Sequence, residues 1–322
     1  VVVLDNRSGE ILAWVGSPDF WADTAGQVDM VISPRQPGSA LKPFLYAMGF
    51  DRGITAATVL ADVAKTYQTA GGPYHPRNYD REYHGPVRAR EALANSYNVP
   101  AVELADRIGY ASLLRGLQQA GFTSLSRPPE FYGLGLALGN GDVTLLELAN
   151  GYRTLARGGE WSQAQWFTAA PTAGPRKVVV SPRAAALVLD VLADPVARIP
   201  AFGVSTPFDW PFRAAAKTGT SRHFTDNWAA ATTANFTVAV WVGNFSGQPM
   251  LGVSGITGAG PLLHRAVLLT GNRYPPGDLV HPADQGLTPV AICRLSGLRA
   301  TAQCPGITEY FLPGTEPVRR CN

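Results

Sequence analysis

This chain has little net charge, no long apolar runs and few lysines. Its 322 residues carry a net charge of only +3, with 16% charged and 46% hydrophobic residues. So small a charge provides no electrostatic footprint for nucleic acid, and so high an apolar content excludes a disordered chain. No apolar run approaches the roughly 18 residues of a membrane span, and no signal peptide is visible. The composition indicates a globular protein with one large or two modest cores.

The two ends of the chain predict that it is part of a longer protein. Val1 lies directly in a strand-like run, and Asn322 follows a cysteine by one residue. The lack of a targeting signal therefore says little about where the parent protein works.

The few lysines of this chain are placed unusually. It has only Lys42, Lys65, Lys177 and Lys217, and two of these lie in short polar motifs. Ser39 precedes Lys42 by three residues, and Lys217 begins the sequence Lys-Thr-Gly-Thr. Between them stands Ser96-Tyr97-Asn98. An S-x-x-K, an S-x-N and a K-T-G in this order arise by chance in about one chain in a thousand, so we treat them as one site.

Two strand-rich ends around a helical middle predict an α+β fold. The apolar runs at the ends read as two hairpins, and since antiparallel hairpins pair readily, we expect them to share one antiparallel sheet. From residue 274 onward Pro and Gly dominate, so we predict a tail or linker there. The predicted strands are 1–4, 11–15, 228–232 and 237–242, and the predicted helices are 40–50, 88–96, 99–108, 110–120, 144–156, 182–192 and 262–269.

Serine and lysine at this spacing suit a nucleophile and its base. If Ser39 caps the helix, Lys42 is its third residue and lies on the same face, within reach of the hydroxyl. A lysine accepts a proton only if burial or a second cation lowers its pKa, and Lys217 supplies such a cation. The alternative is that Ser39 only caps the helix and Lys42 is solvated.

The other two motifs also have structural alternatives. Lys217 to Thr220 reads as an inner strand in which Gly219 lets another backbone, that of a substrate, approach closely. It could equally be a plain strand with a solvated lysine. Ser96-Tyr97-Asn98 could be a turn or helix cap, or it could point into a cleft. The segment 74–83 reads as a long loop beside Ser96 that either lines the substrate or merely connects two elements.

These residues together resemble a known family. S-x-x-K, a serine motif and K-T-G are typical of class A β-lactamases and penicillin-binding proteins. The segments 35–39, 90–102, 145–152 and 226–243 resemble the transpeptidase domain of bifunctional penicillin-binding proteins, most of all the 1C type. The resemblance covers roughly residues 1–271, which we expect to form the transpeptidase domain, and 272–322 would be a Pro/Gly-rich tail at the start of a C-terminal extension. It implies a penicillin-binding-protein/β-lactamase-like fold with a helical subdomain in the middle.

The resemblance also implies a role for each motif residue. Ser39 would attack the penultimate D-alanine of a peptidoglycan stem peptide, Lys42 would take its proton, and an acyl-enzyme would form with loss of D-alanine. Ser96, near both lysines, would pass a proton to the leaving amine. The Ser39 and Thr220 amides would form the oxyanion hole, and Asn98 would bind the peptide backbone of the donor. Lys217, Thr218 and Thr220, next to Gly219, would bind the terminal carboxylate.

One departure from the β-lactamase pattern predicts what happens to a β-lactam after it has reacted with Ser39. The middle residue of the second motif is Tyr97 rather than aspartate, and no clear counterpart of the deacylating glutamate is present. Glu130 is the nearest candidate, and we interpret it as a surface acid. We therefore expect β-lactams to inhibit this protein as covalent adducts rather than be degraded by it.

Two alternatives to D,D-transpeptidation stay open. A D,D-carboxypeptidase would use water as the acceptor, and a penicillin-recognising sensor would acylate without turnover. In each case the resemblance implies donor and acceptor stem peptides as partners, the extracytoplasmic face of a bacterial inner membrane as location, and a glycosyltransferase domain with a membrane anchor in the full-length protein.

Cofactors and metals are not expected. The three cysteines, Cys293, Cys304 and Cys321, all lie in the tail, and an odd count in an exported protein suggests one bridge, with the remaining cysteine left over or paired with a residue beyond this chain. We expect Cys293 to pair with Cys304. Zinc usually takes four ligands at tighter spacing, and His281 is the only histidine nearby, so we predict no metal site.

Overall fold

The computed structural model describes residues 1–69, 71–166, 175–304 and 306–321. Within these ranges no helix has the length and apolar character needed to cross a membrane. Short 3₁₀ turns occupy Gly38–Leu41, Gly133–Leu138, Arg222–Phe224 and Pro282–Gln285. The strands are β1 (Val2–Asp5), β2 (Ile11–Trp14), β3 (Val59–Asp62), β4 (Tyr67–Thr69), β5 (Gly72–Tyr74), β6 (Gly85–Arg88), β7 (Glu160–Trp161), β8 (Lys177–Val178), β9 (Ala215–Thr220), β10 (Asp226–Thr232), β11 (Phe236–Gly243), β12 (Thr288–Cys293) and β13 (Gly306–Phe311). The α-helices are α1 (Lys42–Phe50), α2 (Ala89–Ala94), α3 (Asn98–Ile108), α4 (Tyr110–Gln119), α5 (Pro129–Tyr132), α6 (Leu145–Ala156), α7 (Pro182–Leu192), α8 (Ile199–Phe202) and α9 (Ala259–Gly271).

The main sheet joins the two ends of the transpeptidase-like region, as predicted. Its strand order is β2-β1-β11-β10-β9, and every neighbouring pair is antiparallel. Val2 lies opposite Ala239, so a strand at the start of the chain pairs with one more than 230 residues later. The predicted α+β class and shared sheet are therefore confirmed.

Small residues on both sides of β10 let helices cover both faces of this sheet. All seven residues of β10 are buried. Trp228 and Ala230 face the large core of the helical middle, while Ala229 and Ala231 face a smaller core that includes Leu263 of α9. Side chains alternate between faces along a strand, so a short Ala-rich strand serves both cores at once.

Helix α1 passes through the centre of the larger core. All nine of its residues are buried, including Lys42, which is 0% exposed. A helix that is apolar around its whole circumference must be covered on every side, and α1 contacts α3, α4 and α7. One lysine at its first position is thereby removed from water.

The C-terminal part forms a separate two-stranded sheet, β12 with β13. It is attached to the body by Glu309, which is 0% exposed and binds Arg90 of α2 through two bonds of 2.7 Å. A buried, bidentate Arg–carboxylate pair is among the stronger polar contacts in proteins. Composition predicts only a tail here, and the boundary near residue 271 stays a prediction.

Candidate active site

Ser39 lies inside a 3₁₀ turn and not at a helix cap. The turn spans Gly38–Leu41 with Pro37 as its N-cap, and α1 begins at Lys42, whose amide donates to the Ser39 carbonyl. The predicted capping role of Ser39 is therefore wrong. In a 3₁₀ turn the side chains at i and i+3 eclipse one another, which aligns Ser39 and Lys42 more closely than an α-helix would.

Two buried aromatic side chains hold this turn in place. The indole of Trp228 in β10 donates to the Gln36 carbonyl at 2.7 Å, and the Tyr152 hydroxyl of α6 donates to the Ala40 carbonyl at 2.8 Å. The backbone on either side of Ser39 is thus bound to the sheet and to the helical core. Ser39 itself is half-buried.

The Lys42 amine lies among three acceptors from the second motif. It donates to the Ser96 carbonyl at 2.5 Å, the Tyr97 carbonyl at 3.0 Å and the Asn98 Oδ1 at 2.7 Å. The solvated alternative for Lys42 is thus excluded. Among the described residues no hydrogen bond joins the Ser39 hydroxyl to this amine, so the direct contact expected from the spacing is not formed here.

Ser96 connects the two buried lysines. Its carbonyl accepts from Lys42, and its hydroxyl accepts from Lys217 Nζ at 2.7 Å. Lys217 also donates to the Thr218 carbonyl at 2.9 Å. The backbone of Ser96 has φ +61°, a left-handed conformation that costs a non-glycine residue about 1 kcal/mol or more. Such strain at a polar residue is typical of functional sites.

Burial favours the neutral form of both amines, and the charge of Lys217 adds to this effect at Lys42. Burial, and then the nearby charge of Lys217, lower the pKa of Lys42 well below the usual value, against the opposing attraction of Asp62. Burial lowers the pKa of Lys217 to about 7. A lysine with a lowered pKa can accept a proton near neutral pH, which is the property that the predicted role of Lys42 as a base needs.

Replacing Lys217 by methionine is expected to stabilise the fold at neutral and lower pH. Lys217 has a folded-state pKa of about 7 against about 10.5 in the unfolded chain. The buried charge therefore destabilises the native state fully below pH 7, and this cost fades as pH rises toward 10.5. We expect Lys217→Met to raise the unfolding free energy by about 2 to 4 kcal/mol below neutral pH, because the new side chain carries no charge.

Denaturant unfolding across this pH range measures the effect. The exposed Lys65 provides a matched control, since Lys65→Met should leave the curve unchanged. Parallel stability curves for the parent and Lys217→Met would contradict the assignment of a lowered pKa to Lys217.

The Lys217–Thr220 strand lies directly against the turn that carries Ser39. A Cβ on Gly219 would come within 2.0 Å of the Pro37 carbonyl oxygen, and one on Gly38 within 2.3 Å of the Thr220 carbonyl oxygen. Only glycines permit this approach. The backbone that Gly219 admits is thus the protein's own, which corrects the expectation that it was a substrate.

The edge of this strand that faces away from β10 is still available to a substrate. β9 is an edge strand of the main sheet, so the prediction of an inner strand for Lys217 to Thr220 is wrong. Alternation places Lys217 and Gly219 toward the helices and Thr218 and Thr220 toward the other face, where the Thr220 hydroxyl accepts from the Gly255 amide at 2.8 Å. Binding of a carboxylate by these threonines stays a prediction.

A buried polar network behind the second motif was not identified from sequence. Asn78 accepts from the amides of Asn98 and Val99 at 2.7 and 3.2 Å, and it donates to both oxygens of Asp62 at 2.8 and 2.7 Å. Asp62 is 0% exposed and also bonds His84 at 2.6 Å. The loop 74–83 thus supports the start of α3, and its only sequence signal was its position beside Ser96.

Tyr97, the residue that departs from the β-lactamase motif, packs against the same network. It is buried, and its ring stacks on His84 with centroids 4.1 Å apart and planes 16° apart. Its backbone carbonyl, and not its side chain, contacts Lys42. Glu130, the nearest candidate for a deacylating acid, is exposed in α5.

Replacing Asn78 by alanine is expected to loosen the second motif. The amides of Asn98 and Val99 would lose their acceptor, and the buried Asp62 would lose two donors. We expect a loss of about 2 to 4 kcal/mol in unfolding free energy and slower acylation of Ser39, by about tenfold or more.

Thermal unfolding and the rate of β-lactam adduct formation measure the two effects. Asn244→Ala removes an exposed asparagine and is the control. Equal acylation rates in the two variants would show that Asn78 does not position the motif.

The cysteines differ from their predicted arrangement. Cys293 and Cys304 are free thiols in this structure, so the expected bridge between them is not formed. The sulfurs of Cys293, Cys304 and Cys321 instead lie within 4.8 Å of one another.

A serine in a turn held by Trp228 and Tyr152, two buried lysines and a second serine between them form the arrangement expected of a penicillin-recognising serine acyltransferase. Comparison with known families agrees. The family model described as the penicillin-binding protein transpeptidase domain matches residues 1–258, and that of the penicillin-binding protein 1A C-terminal domain matches 284–322. The chain belongs to the penicillin-binding protein transpeptidase family.

Individual relatives are of the 1A and 1C types. The chain is 32% identical to penicillin-binding protein 1C of Escherichia coli K12 over 98% of its length, and 29% identical to penicillin-binding protein 1A of Aquifex aeolicus over 100%. It spans only 40% and 44% of those two relatives. A crystal structure of penicillin-binding protein 1A from Haemophilus influenzae superposes with a TM-score of 0.82 at 23% identity, covering 100% of this chain and 54% of that one, and shows the same fold.

Proposed function

We propose that this chain is a serine D,D-transpeptidase domain that cross-links peptidoglycan stem peptides through an acyl-enzyme on Ser39. The observation that carries the proposal is the convergence of Lys42 and Lys217 on Ser96, beside the turn that holds Ser39. Family membership supports the same class of chemistry.

Acylation begins with proton transfer from Ser39 to Lys42. Three acceptors around the amine suit the three N–H groups of the ammonium form. The neutral amine has two N–H groups and one lone pair, so it can keep two of these bonds and turn its lone pair to the Ser39 hydroxyl. The serine oxygen then attacks the carbonyl of the penultimate D-alanine.

Two backbone amides stabilise the negative charge that develops on that carbonyl oxygen. We assign this role to the amides of Ser39 and Thr220, since the backbones of Gly38 and Thr220 are in close contact. Loss of one such donor in other enzymes costs about 3 to 4 kcal/mol. The turn and strand hold these donors before the reaction starts, so no reorganisation is needed.

The Ser96 hydroxyl passes a proton to the departing amine of D-alanine. The Ser96 hydroxyl can recover this proton from Lys217, whose Nζ is bonded to it, and the C–N bond breaks as the acyl-enzyme forms. The amine of a second stem peptide then attacks the ester carbonyl and gives its proton to Lys217 through Ser96. Lys42 returns its proton to Ser39 as the ester bond breaks, so a new amide bond forms and both lysines regain their starting charge. Asn98 binds the donor backbone, and Lys217, Thr218 and Thr220 hold the terminal carboxylate beside Gly219.

The same proposal covers the partners and location. Stem peptides are donor and acceptor, β-lactams are covalent inhibitors, and the site faces the extracytoplasmic side of a bacterial inner membrane. Since the chain spans less than half of the curated relatives named above, we propose that the full-length protein adds a glycosyltransferase domain and a membrane anchor.

The test is a product assay with a stem pentapeptide, with and without an amine acceptor. With the acceptor present we expect released D-alanine and a tetrapeptide joined to the acceptor amine, and neither product from Ser39→Ala. Ser126→Ala, at an exposed serine, is the control. Hydrolysed tetrapeptide in both conditions would identify a D,D-carboxypeptidase, and a stoichiometric adduct without turnover would identify a sensor.

A further inference from the structure

All three cysteines of this chain meet at one point of the C-terminal part. Cys293 ends β12, Cys304 precedes β13, and Cys321 is near the end of the chain. Although 28 positions separate the first from the last, their sulfurs lie within 4.8 Å of one another.

Backbone hydrogen bonds fix the positions of the three cysteines. One short segment, residues 298–301, binds the amide of every cysteine. These bonds are Cys293 to the Leu298 carbonyl at 2.7 Å, Cys321 to the Arg299 carbonyl at 2.9 Å, and Cys304 to the Thr301 carbonyl at 3.1 Å. Three ligands are thus held by hydrogen bonds independent of their side chains, which is the preorganisation that a metal site needs.

Arginine is frequent around the cluster, at positions 294, 299, 319 and 320, so local positive charge can offset a negatively charged cluster.

We propose that Cys293, Cys304 and Cys321 bind one zinc ion as thiolates, with water or another ligand in the fourth position. Zinc–sulfur bonds of about 2.3 Å in tetrahedral geometry place sulfurs roughly 3.8 Å apart, so small side-chain rotations suffice. Soft thiolates select zinc over the hard cations magnesium and calcium. Each cysteine loses its proton on binding, so three protons are released for each ion bound.

His281 is not the fourth ligand. Its Nε2 bonds the Tyr310 hydroxyl at 3.1 Å, and Tyr310 lies opposite Pro289. Cys293 lies opposite Gly306 at the other end of the hairpin, about 13 Å along the strand. The fourth ligand is therefore water or a group other than His281.

The role that follows is structural. The ion would close the loop from Cys293 to Cys321 around β13, the strand whose Glu309 binds Arg90 of α2. Arg294 lies 3.6 Å from Glu91 of the same helix. The site would thus clip the C-terminal part to the helix that precedes Ser96, without touching the reacting groups.

The 322-residue chain, equilibrated with zinc and then freed of unbound metal, tests the proposal by elemental analysis. We expect about one zinc per chain, and at least a tenfold lower content in Cys304→Ser and Cys321→Ser. Ser39→Ala should retain the metal while losing β-lactam acylation. The variants' ability to acylate Ser39 reports whether they fold.

Two further measurements keep the result decisive even if a variant does not fold. Cobalt(II) added to the metal-free parent should produce the visible bands of a tetrahedral thiolate complex, and chelation should expose three reactive thiols. A parent protein whose mass is two hydrogens below that of the reduced chain, with one reactive thiol and no bound zinc, would contain a disulfide. This result would overturn the proposal. A zinc content below one tenth per chain in the reduced parent would overturn it as well.

Discussion

Ser39→Ala is expected to abolish the covalent adduct between this domain and a labelled β-lactam. Among the residues that the structure describes, no other hydroxyl combines partial exposure with a turn fixed by Trp228 and Tyr152 next to the Lys217–Thr220 strand. The Ser96 hydroxyl is already engaged by Lys217, so it should not replace the nucleophile. We expect adduct below one thousandth of the parent level, since the covalent route is lost entirely.

Intact mass after incubation with the β-lactam provides the readout. The parent and Ser126→Ala should each gain one adduct per chain, and that adduct should persist because the exposed Glu130 cannot activate water at Ser39. Label retained by Ser39→Ala would refute the assigned nucleophile. Rapid loss of label with many turnovers would instead show that the domain degrades the antibiotic.

Lys42→Met is expected to slow acylation of Ser39 by about 10²- to 10⁴-fold. Methionine matches the length and apolar character of the buried lysine stem but cannot accept a proton. Lys42→Arg should be equally slow, because a guanidinium stays protonated at every accessible pH. If instead the arginine variant acylated at the parent rate, a positive charge and not a base would be the requirement.

The pH profile separates these possibilities further. Burial and the charge of Lys217 lower the pKa of Lys42, so its neutral fraction increases as pH rises through this lowered pKa. The parent's acylation rate should therefore fall toward acid pH and reach a plateau above this lowered pKa. Lys42→Met should show a flat, low profile, and an unchanged pH dependence in that variant would contradict the base assignment.

Sequence reasoning placed the elements well because their signals are local. The β-rich apolar runs at 1–4 and 237–242 and the apolar helix after Ser39 are recognised from neighbouring residues alone, and β1, β11 and α1 follow them. The chemistry of the motifs was equally local, since side-chain types at fixed spacing define a nucleophile, a possible base and a second cation.

Sequence reasoning failed where contacts join distant segments. The spacing predicted a bond between Ser39 and Lys42, yet the amine binds Ser96, Tyr97 and Asn98. The support that Asn78 supplies from a loop could not be weighed in advance, because a lone buried asparagine resembles any other loop residue in sequence.

The sequence alone indicated the class of chemistry, the sheet formed from both ends of the chain, and the low content of charged residues and lysine. Folding settled which groups touch: that Gly219 admits the protein's own Pro37 backbone, that Ser96 connects two amines, and that three cysteines with wide spacing share one point. The reason is physical. Periodicity and propensity act over a few residues, whereas the pKa of a lysine or the meeting of sulfurs depends on packing between segments far apart in the chain.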